Sequence, residues 1–439
     1  MNNKETIQLK KSIEKAEQIK TKNLIKKRKI TDVMIIIENF IKDKELICYG
    51  GIAINNILPK ELQFYSDDFY IPDYDFFSTK PLQDAKTLAN KIYRAGFNDV
   101  EAKVGVHEGT FKIFVNFVPV ADITYLHKDI FINLKKSSRI LDKIHYAPPN
   151  YLRMSMYNEL SQPQNDPSRW EKVFTRLKLL NKQYPILNYD CDLQYFQNKF
   201  ESNDKSLYNI VKNLLIEEEV VFFGGYAFNL LSTHMSKIKT KRHYIDNPYF
   251  DVLSKNPKKC IKKIKDKLKS NNIDNIITTS IKGIQDVLPK HYEIKINDIP
   301  ICYIYIPNNC HSYNTIKMNN KIIKIATIDT IIGFYLKFLY INKPYYNKYR
   351  LLCMAHYLFK VQLKNKNKQQ GILKRFVSEC YGKQKTIQDI RKEKSINYKI
   401  YSKNKKSRKF LYSYFRYNPS KVLKKTKKNK KIKNKKIKI

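Results

Sequence analysis

Glycine is scarce in this sequence, and the phosphate-binding motifs that depend on glycine are missing. Only 11 of the 439 residues are glycine. Neither a G-x-x-x-x-G-K-[ST] segment nor a G-x-G-x-x-G segment occurs, so the P-loop and Rossmann classes lack support. The same scarcity gives weight to two Gly-Gly pairs, Gly50-Gly51 and Gly224-Gly225, because neither is expected by chance.

Cysteine motifs, histidine motifs and long apolar runs are also missing. The seven cysteines are scattered without a C-x-x-C pair, and no H-E-x-x-H segment is present. These absences argue against structural zinc and predict reduced cysteines. No apolar run approaches the roughly 20 residues of a membrane span, and the polar, basic beginning does not resemble a signal peptide. We therefore expect a cytoplasmic protein without a membrane partner.

Acidic residues are few, and basic residues dominate the charge. The chain has 84 Lys+Arg against 40 Asp+Glu, and no acidic residue occurs from position 401 to the end. This excess predicts a polyanionic partner, although the Lys-rich tail is explained equally well by RNA binding or by a disordered, solvated segment. Near that tail, Phe410, Tyr414 and Tyr417 have the spacing of one helix face, which favours packing over base stacking.

The sequence also repeats itself at the scale of a domain. LICYGG, which ends at Gly51, returns as VVFFGG, which ends at Gly225. Downstream, PDYDFFSTKP returns as YFDVLSKNP, and VNFVPVADITYL returns as INDIPICYIYI. The spacing between the copies drifts by a few residues, as loop insertions would produce.

The acidic residues of the first copy form a candidate metal site. Asp73 and Asp75 are two positions apart in IPDYDFF, a β-like segment, so their side chains share one face. Asp122 lies in a second β-like segment, and three carboxylates suit Mg²⁺, with Mn²⁺ as the alternative ion. The alternative is that Asp73 and Asp75 belong to an exposed acidic turn without a ligand, but this does not explain the upstream glycines or Asp122. Tyr249 and Tyr303 replace Asp73 and Asp122 in the second copy, so we expect only the first copy to hold a metal.

Gly50 and Gly51 are candidate nucleotide-binding residues. They follow a short apolar run and precede AINNIL, which has helical periodicity. A turn from strand to helix without side chains lets backbone N–H groups approach a phosphate.

Together, Gly-Gly, the Asp-x-Asp strand and the third strand Asp resemble the DNA polymerase β-like nucleotidyltransferases. YLRMSMYNELSQP, followed by RWEKVFTRLKLL, is more specific. This stretch resembles the poly(A) polymerase catalytic subunits of large cytoplasmic DNA viruses, the giant-virus and poxvirus group, which also carry a degenerate second module. The resemblance covers roughly residues 31 to 345. It departs from the family in the long interval between Gly51 and Asp73.

The resemblance implies a fold and a domain layout. We expect an α/β (α+β) fold of two tandem polymerase β-like nucleotidyltransferase modules, each a mixed sheet flanked by helices, with the second module degenerate. The expected layout is a basic N-terminal helix at 1–30, the catalytic module at 31–184, the degenerate module at 185–345, and a basic helical region with a disordered Lys-rich tail at 346–439.

The resemblance also implies an activity. It predicts template-independent polyadenylation of single-stranded RNA 3′ ends, with ATP as substrate and pyrophosphate as product. Asp73 and Asp75 would bridge two metal ions, Asp122 would complete the ion at the RNA 3′ hydroxyl, and Gly50 and Gly51 would hold the triphosphate. A uridylyl- or CCA-adding enzyme and a non-catalytic basic RNA-binding protein are the alternatives. A homodimer, and a location in a viral factory or virion, are further expectations of the likeness.

Overall fold

The protein was analysed as a computed structural model, which describes residues 30–65, 73–187, 191 and 205–422, with scattered positions between 4 and 19. Contacts divide the chain into two compact units. One unit ends at Pro148 and resumes at Ile387, and the other runs from Pro149 to Thr386. The helices that the sequence layout placed at the end of the catalytic module, up to residue 184, are therefore grouped with the second unit. The Lys-rich end, with the disorder expected there, lies beyond the described residues.

The first unit contains a mixed sheet in the order β3-β4-β5-β2-β1-β7-β6. Strand β2 runs parallel to β5, and β1 runs parallel to β7, while the other neighbours are antiparallel. Up to Pro148, its elements are α1 (Ile30–Asp43), β1 (Ile47–Cys48), α2 (Gly50–Ile57), β2 (Tyr74–Ser78), α3 (Pro81–Arg94), β3 (Val100–Val104), β4 (Thr110–Val115), β5 (Val118–Tyr125), α4 (Lys128–Lys136), β6 (Arg139–Leu141) and β7 (Ile144–Tyr146).

The second unit contains another mixed sheet, in the order β10-β11-β12-β9-β8-β14-β13-β15. Its helices are α5 (Pro149–Leu160), α6 (Trp170–Gln183), α7 (Lys205–Glu217), α8 (Gly225–Ser232), α9 (Lys237–His243), α10 (Pro257–Lys269), α11 (Ile328–Phe338) and α12 (Lys348–Lys364). Its strands are β8 (Val221–Phe222), β9 (Phe250–Leu253), β10 (Ile276–Ile281), β11 (His291–Ile296), β12 (Ile299–Tyr305), β13 (His311–Met318), β14 (Lys321–Ala326) and β15 (Cys380–Tyr381).

The two sheets are copies of one topology. Seven strands of each sheet follow the same order with the same directions, so β3, β4, β5 and β2 correspond to β10, β11, β12 and β9. The copies even share an irregularity, because a β-bulge follows Ile113 in β4 and Ile294 in β11. The hairpin turn after each bulge has positive φ, at Asn116 and at Asn297. The predicted fold class, two mixed sheets flanked by helices, is confirmed.

The first sheet shows the alternation of buried and exposed residues that is typical of a β-sheet with one face in the core. Strand β4 alternates, with Phe111, Ile113 and Val115 completely buried and Lys112 on the other face. Helix α3 begins at a proline and buries one stripe that includes Leu88. None of the helices in the described part of the chain is long and apolar enough to cross a bilayer.

The segment after residue 386 returns to the first unit. It forms α13 (Ile387–Tyr401), α14 (Arg408–Tyr414) and β16 (Arg416–Tyr417), and β16 pairs antiparallel with the edge strand β3. Disorder was expected after residue 400, but residues 401–422 have this definite structure. The helix ends before Tyr417, so the predicted stripe is split between a helix and a strand. The rings of Phe410 and Tyr414 are in contact at 5.3 Å between centroids, and the Tyr417 hydroxyl donates to Asn90 at 2.8 Å, which supports packing over base stacking.

The cysteines differ from the prediction. Cys191 bonds to Cys353, and Cys310 bonds to Cys380. The expectation that all seven cysteines are reduced is therefore wrong for these four. The partners are 162 and 70 residues apart, so no local motif could indicate the pairing.

Candidate active site

The three acids predicted from the sequence lie on two adjacent strands of the first sheet. Asp73 immediately precedes β2 and is the first described residue after the gap at 66–72, and Asp75 lies within the strand. Asp122 lies in β5. The parallel register of β2 and β5 places Asp75 directly beside Asp122. The register therefore pairs Asp75 with Asp122, and Asp73 lies two residues before Asp75 at the start of the strand.

The predicted glycine turn lies against the same acids. Gly50 begins α2 with φ of +72°, a left-handed conformation that favours glycine. A Cβ atom at this position would collide with the carboxylate of Asp75. The backbone N–H of Tyr49 donates to the Asp75 carbonyl at 2.9 Å, so the turn is fixed to the acid strand. Gly51 is the next residue of α2 and is half-buried.

The burial of these carboxyl groups favours a positive charge beside them. Burial raises the pKa of the Asp73 carboxyl to about 6, with a further contribution from the nearby charge of Asp122. Burial also raises the pKa of Asp122. One carboxylate oxygen of each, Oδ1, is buried and finds no hydrogen-bond partner among the described residues. Unsatisfied buried carboxylate oxygens are costly, and a hard cation is the natural ligand for them.

A lysine that the sequence interpretation missed supplies part of that charge. Lys112 lies directly opposite Asp122 in the antiparallel pairing of β4 and β5, and its Nζ forms an ion pair with Asp122 Oδ2. Burial alone would lower the pKa of Lys112, but the hydrogen bond and charge of Asp122, with the charges of Asp73 and Asp75, raise it. Within the part of the chain that the structure describes, no three His, Cys, Asp or Glu side chains converge as a metal-binding group. Asp75 and Asp122 lie next to each other on paired strands, and Lys112 is bound to the carboxylate of Asp122.

A second missed residue is Asn55, which holds the loop that leads to the acid strand. Its Oδ1 accepts hydrogen bonds from the backbone N–H groups of Phe64 and Tyr65, both at 2.9 Å. Asn229 occupies the same place in the second copy and bonds to the backbone of Ile245. The signal was present in the sequence, because both copies read G-G-x-A-x-N.

The corresponding site of the second unit keeps the geometry and loses the charges. A Cβ atom on Gly224 would collide with the carboxylate of Asp251, as at Gly50 and Asp75. Tyr303 lies directly beside Asp251 in the register of β9 and β12. Tyr249 takes the place of Asp73 and accepts a hydrogen bond from Arg350 at 2.8 Å.

Of the three positions equivalent to the acids of the first copy, only Asp251 is acidic, and the cation Arg350 lies beside it. Tyr249, Asp251 and Arg350 line the same cavity, together with several apolar and aromatic side chains. Burial raises the pKa of Asp251 to about 7, and the charge of Arg350 opposes that rise. The second copy thus lacks two of the three acids of the first copy and carries Arg350 beside the acid that remains.

Comparisons with known proteins point to the same region. The family model described as the poly(A) polymerase catalytic subunit matches residues 35–166, which include both glycines and all three acids. A protein of Acanthamoeba polyphaga mimivirus named as a poly(A) polymerase catalytic subunit is 35% identical over 181 residues. A protein of African swine fever virus with the same name is 32% identical over 183 residues. Each match covers 40% of this chain, but the chain spans only 30% and 38% of these relatives' own lengths.

A solved structure matches over a longer range. The crystal structure of the Megavirus polyadenylate synthase has a TM-score of 0.80, covering 100% of this chain and 90% of that one, at 21% identity. At this identity the match establishes a common fold. The resemblance predicted from the sequence is thus confirmed: residues 35–166 resemble the viral poly(A) polymerase catalytic subunits, and the chain has the fold of the Megavirus polyadenylate synthase.

Proposed function

We propose that this protein adds AMP from ATP to the 3′ ends of single-stranded RNA without a template, and releases pyrophosphate. The observation that carries the proposal is the parallel register that places Asp75 beside Asp122, with Gly50 against the Asp75 carboxylate. The similarity of residues 35–166 to viral proteins named as poly(A) polymerase catalytic subunits supports this assignment.

Asp73, Asp75 and Asp122 are the proposed metal ligands. The buried, unpartnered Oδ1 atoms of Asp73 and Asp122 fit a hard divalent cation, Mg²⁺ or alternatively Mn²⁺. When bound, such a cation neutralises phosphate charge and favours ionisation of the RNA 3′ hydroxyl. The acids themselves contribute position, because two of them are fixed on paired strands and the third lies at the start of one strand.

The glycine turn is the proposed triphosphate site. Helix α2 begins at Gly50, and the first backbone N–H groups of a helix have no partner within it. Such groups bind phosphate oxygens, and the absence of side chains at Gly50 and Gly51 permits a close approach. The formal net charge of +44 suits an RNA partner, and RNA affinity should fall steeply with salt.

The cellular setting follows from the relatives. They are proteins of large DNA viruses, so we place this activity in the cytoplasm, in a viral factory or a virion. A homodimer remains a prediction, and a sedimentation measurement that finds only monomer would contradict it.

Primer extension tests the proposal. A 5′-labelled RNA primer would be incubated with Mg²⁺ and each of the four nucleoside triphosphates separately, with wild type and with an Asp73→Ala/Asp75→Ala variant. Asp129→Ala is the matched control, because Asp129 is an exposed acid of the same unit. We expect a ladder with ATP alone for wild type and the control, and no ladder for the double variant.

The alternatives give different results. Extension with UTP would indicate a uridylyltransferase. A short addition with CTP that is completed by A only when CTP and ATP are supplied together would indicate a CCA-adding enzyme. Tight RNA binding without extension by any nucleotide would contradict the proposal and favour a non-catalytic RNA-binding protein.

A further inference from the structure

Lys112 and Asp122 form a cross-strand pair in the first sheet. They lie opposite each other in β4 and β5, and the Lys112 ammonium bonds to Asp122 Oδ2. The Asp122 side chain is only 13% exposed, whereas that of Lys112 is 32% exposed. The lysine is thus the more solvated partner of the pair, and its side chain is intrinsically flexible.

The second unit contains the same pair of positions with different residues. The shared bulge and turn align β4–β5 with β11–β12, so Glu293 takes the place of Lys112 and Tyr303 takes the place of Asp122. The Tyr303 hydroxyl donates to Glu293 Oε1 at 2.9 Å. The acid and its lysine were therefore replaced together. A lysine is present where the third acid is present, and absent where that acid is lost.

We propose that Lys112 is a positioning residue of the nucleotidyltransferase site that serves as a built-in counter-ion for its acids. In the metal-free protein it holds Asp122 and neutralises part of the acid cluster, and a divalent cation displaces it from Asp122 Oδ2. This inference rests on the proposed function, because it assigns the cation to the three acids named there.

The physical basis is competition for one carboxylate oxygen. Asp122 Oδ2 is held by the ammonium, while Asp122 Oδ1 and Asp73 Oδ1 have no partner among the described residues. A cation that binds both oxygens of Asp122 must remove the ammonium, and one that begins at the free Oδ1 atoms must overcome the repulsion of its positive charge. Without Lys112, the acids repel each other more strongly, and a cation binds them more tightly.

Two substitutions of Lys112 separate charge from packing. Lys112→Met keeps an apolar stem and removes the charge, whereas Lys112→Arg keeps the charge. Lys324→Met is the matched control, because Lys324 is also a strand lysine paired with an acid, Glu219 at 2.8 Å, in the second sheet. Lys112→Gln provides the same test if Lys112→Met does not fold.

The experiment is a titration of the full chain with Mn²⁺, followed by the electron paramagnetic resonance signal of the free ion, without ATP or RNA. We expect Lys112→Met to bind Mn²⁺ on the order of tenfold more tightly than wild type, and to melt at a lower temperature without metal. Lys112→Arg and Lys324→Met should bind as wild type does. An unchanged or weaker Mn²⁺ affinity of Lys112→Met would overturn the inference.

Failure of the inference and failure of the proposed function are distinguishable. If wild type extends the primer with ATP but Lys112→Met does not bind Mn²⁺ more tightly, only the role of Lys112 is refuted. If wild type neither extends a primer nor binds Mn²⁺, the proposed function and the inference are refuted together.

Discussion

Gly50 determines both the backbone conformation of the turn and the space available to the Asp75 carboxylate. Its φ of +72° is strained for any side chain, and its missing Cβ leaves the space that the Asp75 carboxylate occupies. Gly96 is a useful contrast, because its φ of +101° is equally restrictive but the space around it is open. Substitution of the two glycines therefore separates backbone strain from displacement of the acid.

We predict that Gly50→Ala and Gly96→Ala each lower the free energy of unfolding by about 1 kcal/mol through backbone strain. Only Gly50→Ala should reduce primer extension, by at least about tenfold, because the new methyl group displaces the Asp75 carboxylate from its place beside Asp122. Urea unfolding and single-turnover extension measure the two effects. Equal extension rates for the two variants would contradict this view of the turn.

His311, in β13, gives the second unit a defined dependence on pH. Burial, together with the nearby charge of Lys337, lowers its pKa from 6.5 to about 3. Between these values the unfolded chain binds a proton that the folded chain does not, so the free energy of unfolding falls as the pH falls from about 6.5 towards 3. We predict that His311→Phe has a smaller loss of melting temperature between pH 7 and pH 4 than wild type. Parallel losses in the two proteins would show that this histidine is not the cause.

At the scale of elements, one buried ion pair joins helix α11 to the segment that follows α12. Arg375 donates to Asp329 through Nε at 2.8 Å and through Nη2 at 2.7 Å, and Gln362 adds a third bond at 3.2 Å. The side chains of Asp329 and Arg375 are 2% and 11% exposed, so neither charge can be hydrated in exchange for its partner.

We predict that Asp329→Asn lowers the free energy of unfolding by about 3–5 kcal/mol, because it leaves a buried guanidinium without its counter-ion. Asp43→Asn is the control, since Asp43 pairs with Lys91 on the surface and should contribute less than about 1 kcal/mol. Chemical denaturation of both variants makes the comparison. A loss for Asp329→Asn no larger than that for Asp43→Asn would refute the assignment.

The sequence predicted those elements whose signals are local. Asp73 and Asp75 are two positions apart in one β-like segment, Gly50 follows an apolar run, and the repeat preserves the surrounding patterns, so the two-sheet fold and the acid strands could be inferred. Lys112 could not, because its role depends on the register between β4 and β5. Arg350 could not be inferred either, because it comes from a helix 101 residues beyond Tyr249.

At the scale of the whole molecule, the duplication produces two equivalent sites that differ in charge. The first contains three acids, and in the second Arg350 lies beside the remaining acid. The first copy has three acids and a lysine that a cation can displace. At the equivalent positions the second copy has Asp251, two tyrosines and Glu293, and Arg350 lies beside Asp251. We infer that catalysis belongs to the first copy alone, and that the second copy serves another purpose, such as covering an apolar face, forming an RNA groove or forming a subunit interface.

The most direct test compares equivalent acids in the two copies. Single-turnover extension of an RNA primer with ATP and Mg²⁺ would be measured for wild type, Asp75→Asn and Asp251→Asn, with RNA affinity as the control for folding. We predict a rate loss on the order of a thousandfold or more for Asp75→Asn, and a change of less than about threefold for Asp251→Asn. Retained activity in Asp75→Asn, or an equal loss in Asp251→Asn, would contradict the assignment of catalysis to the first copy.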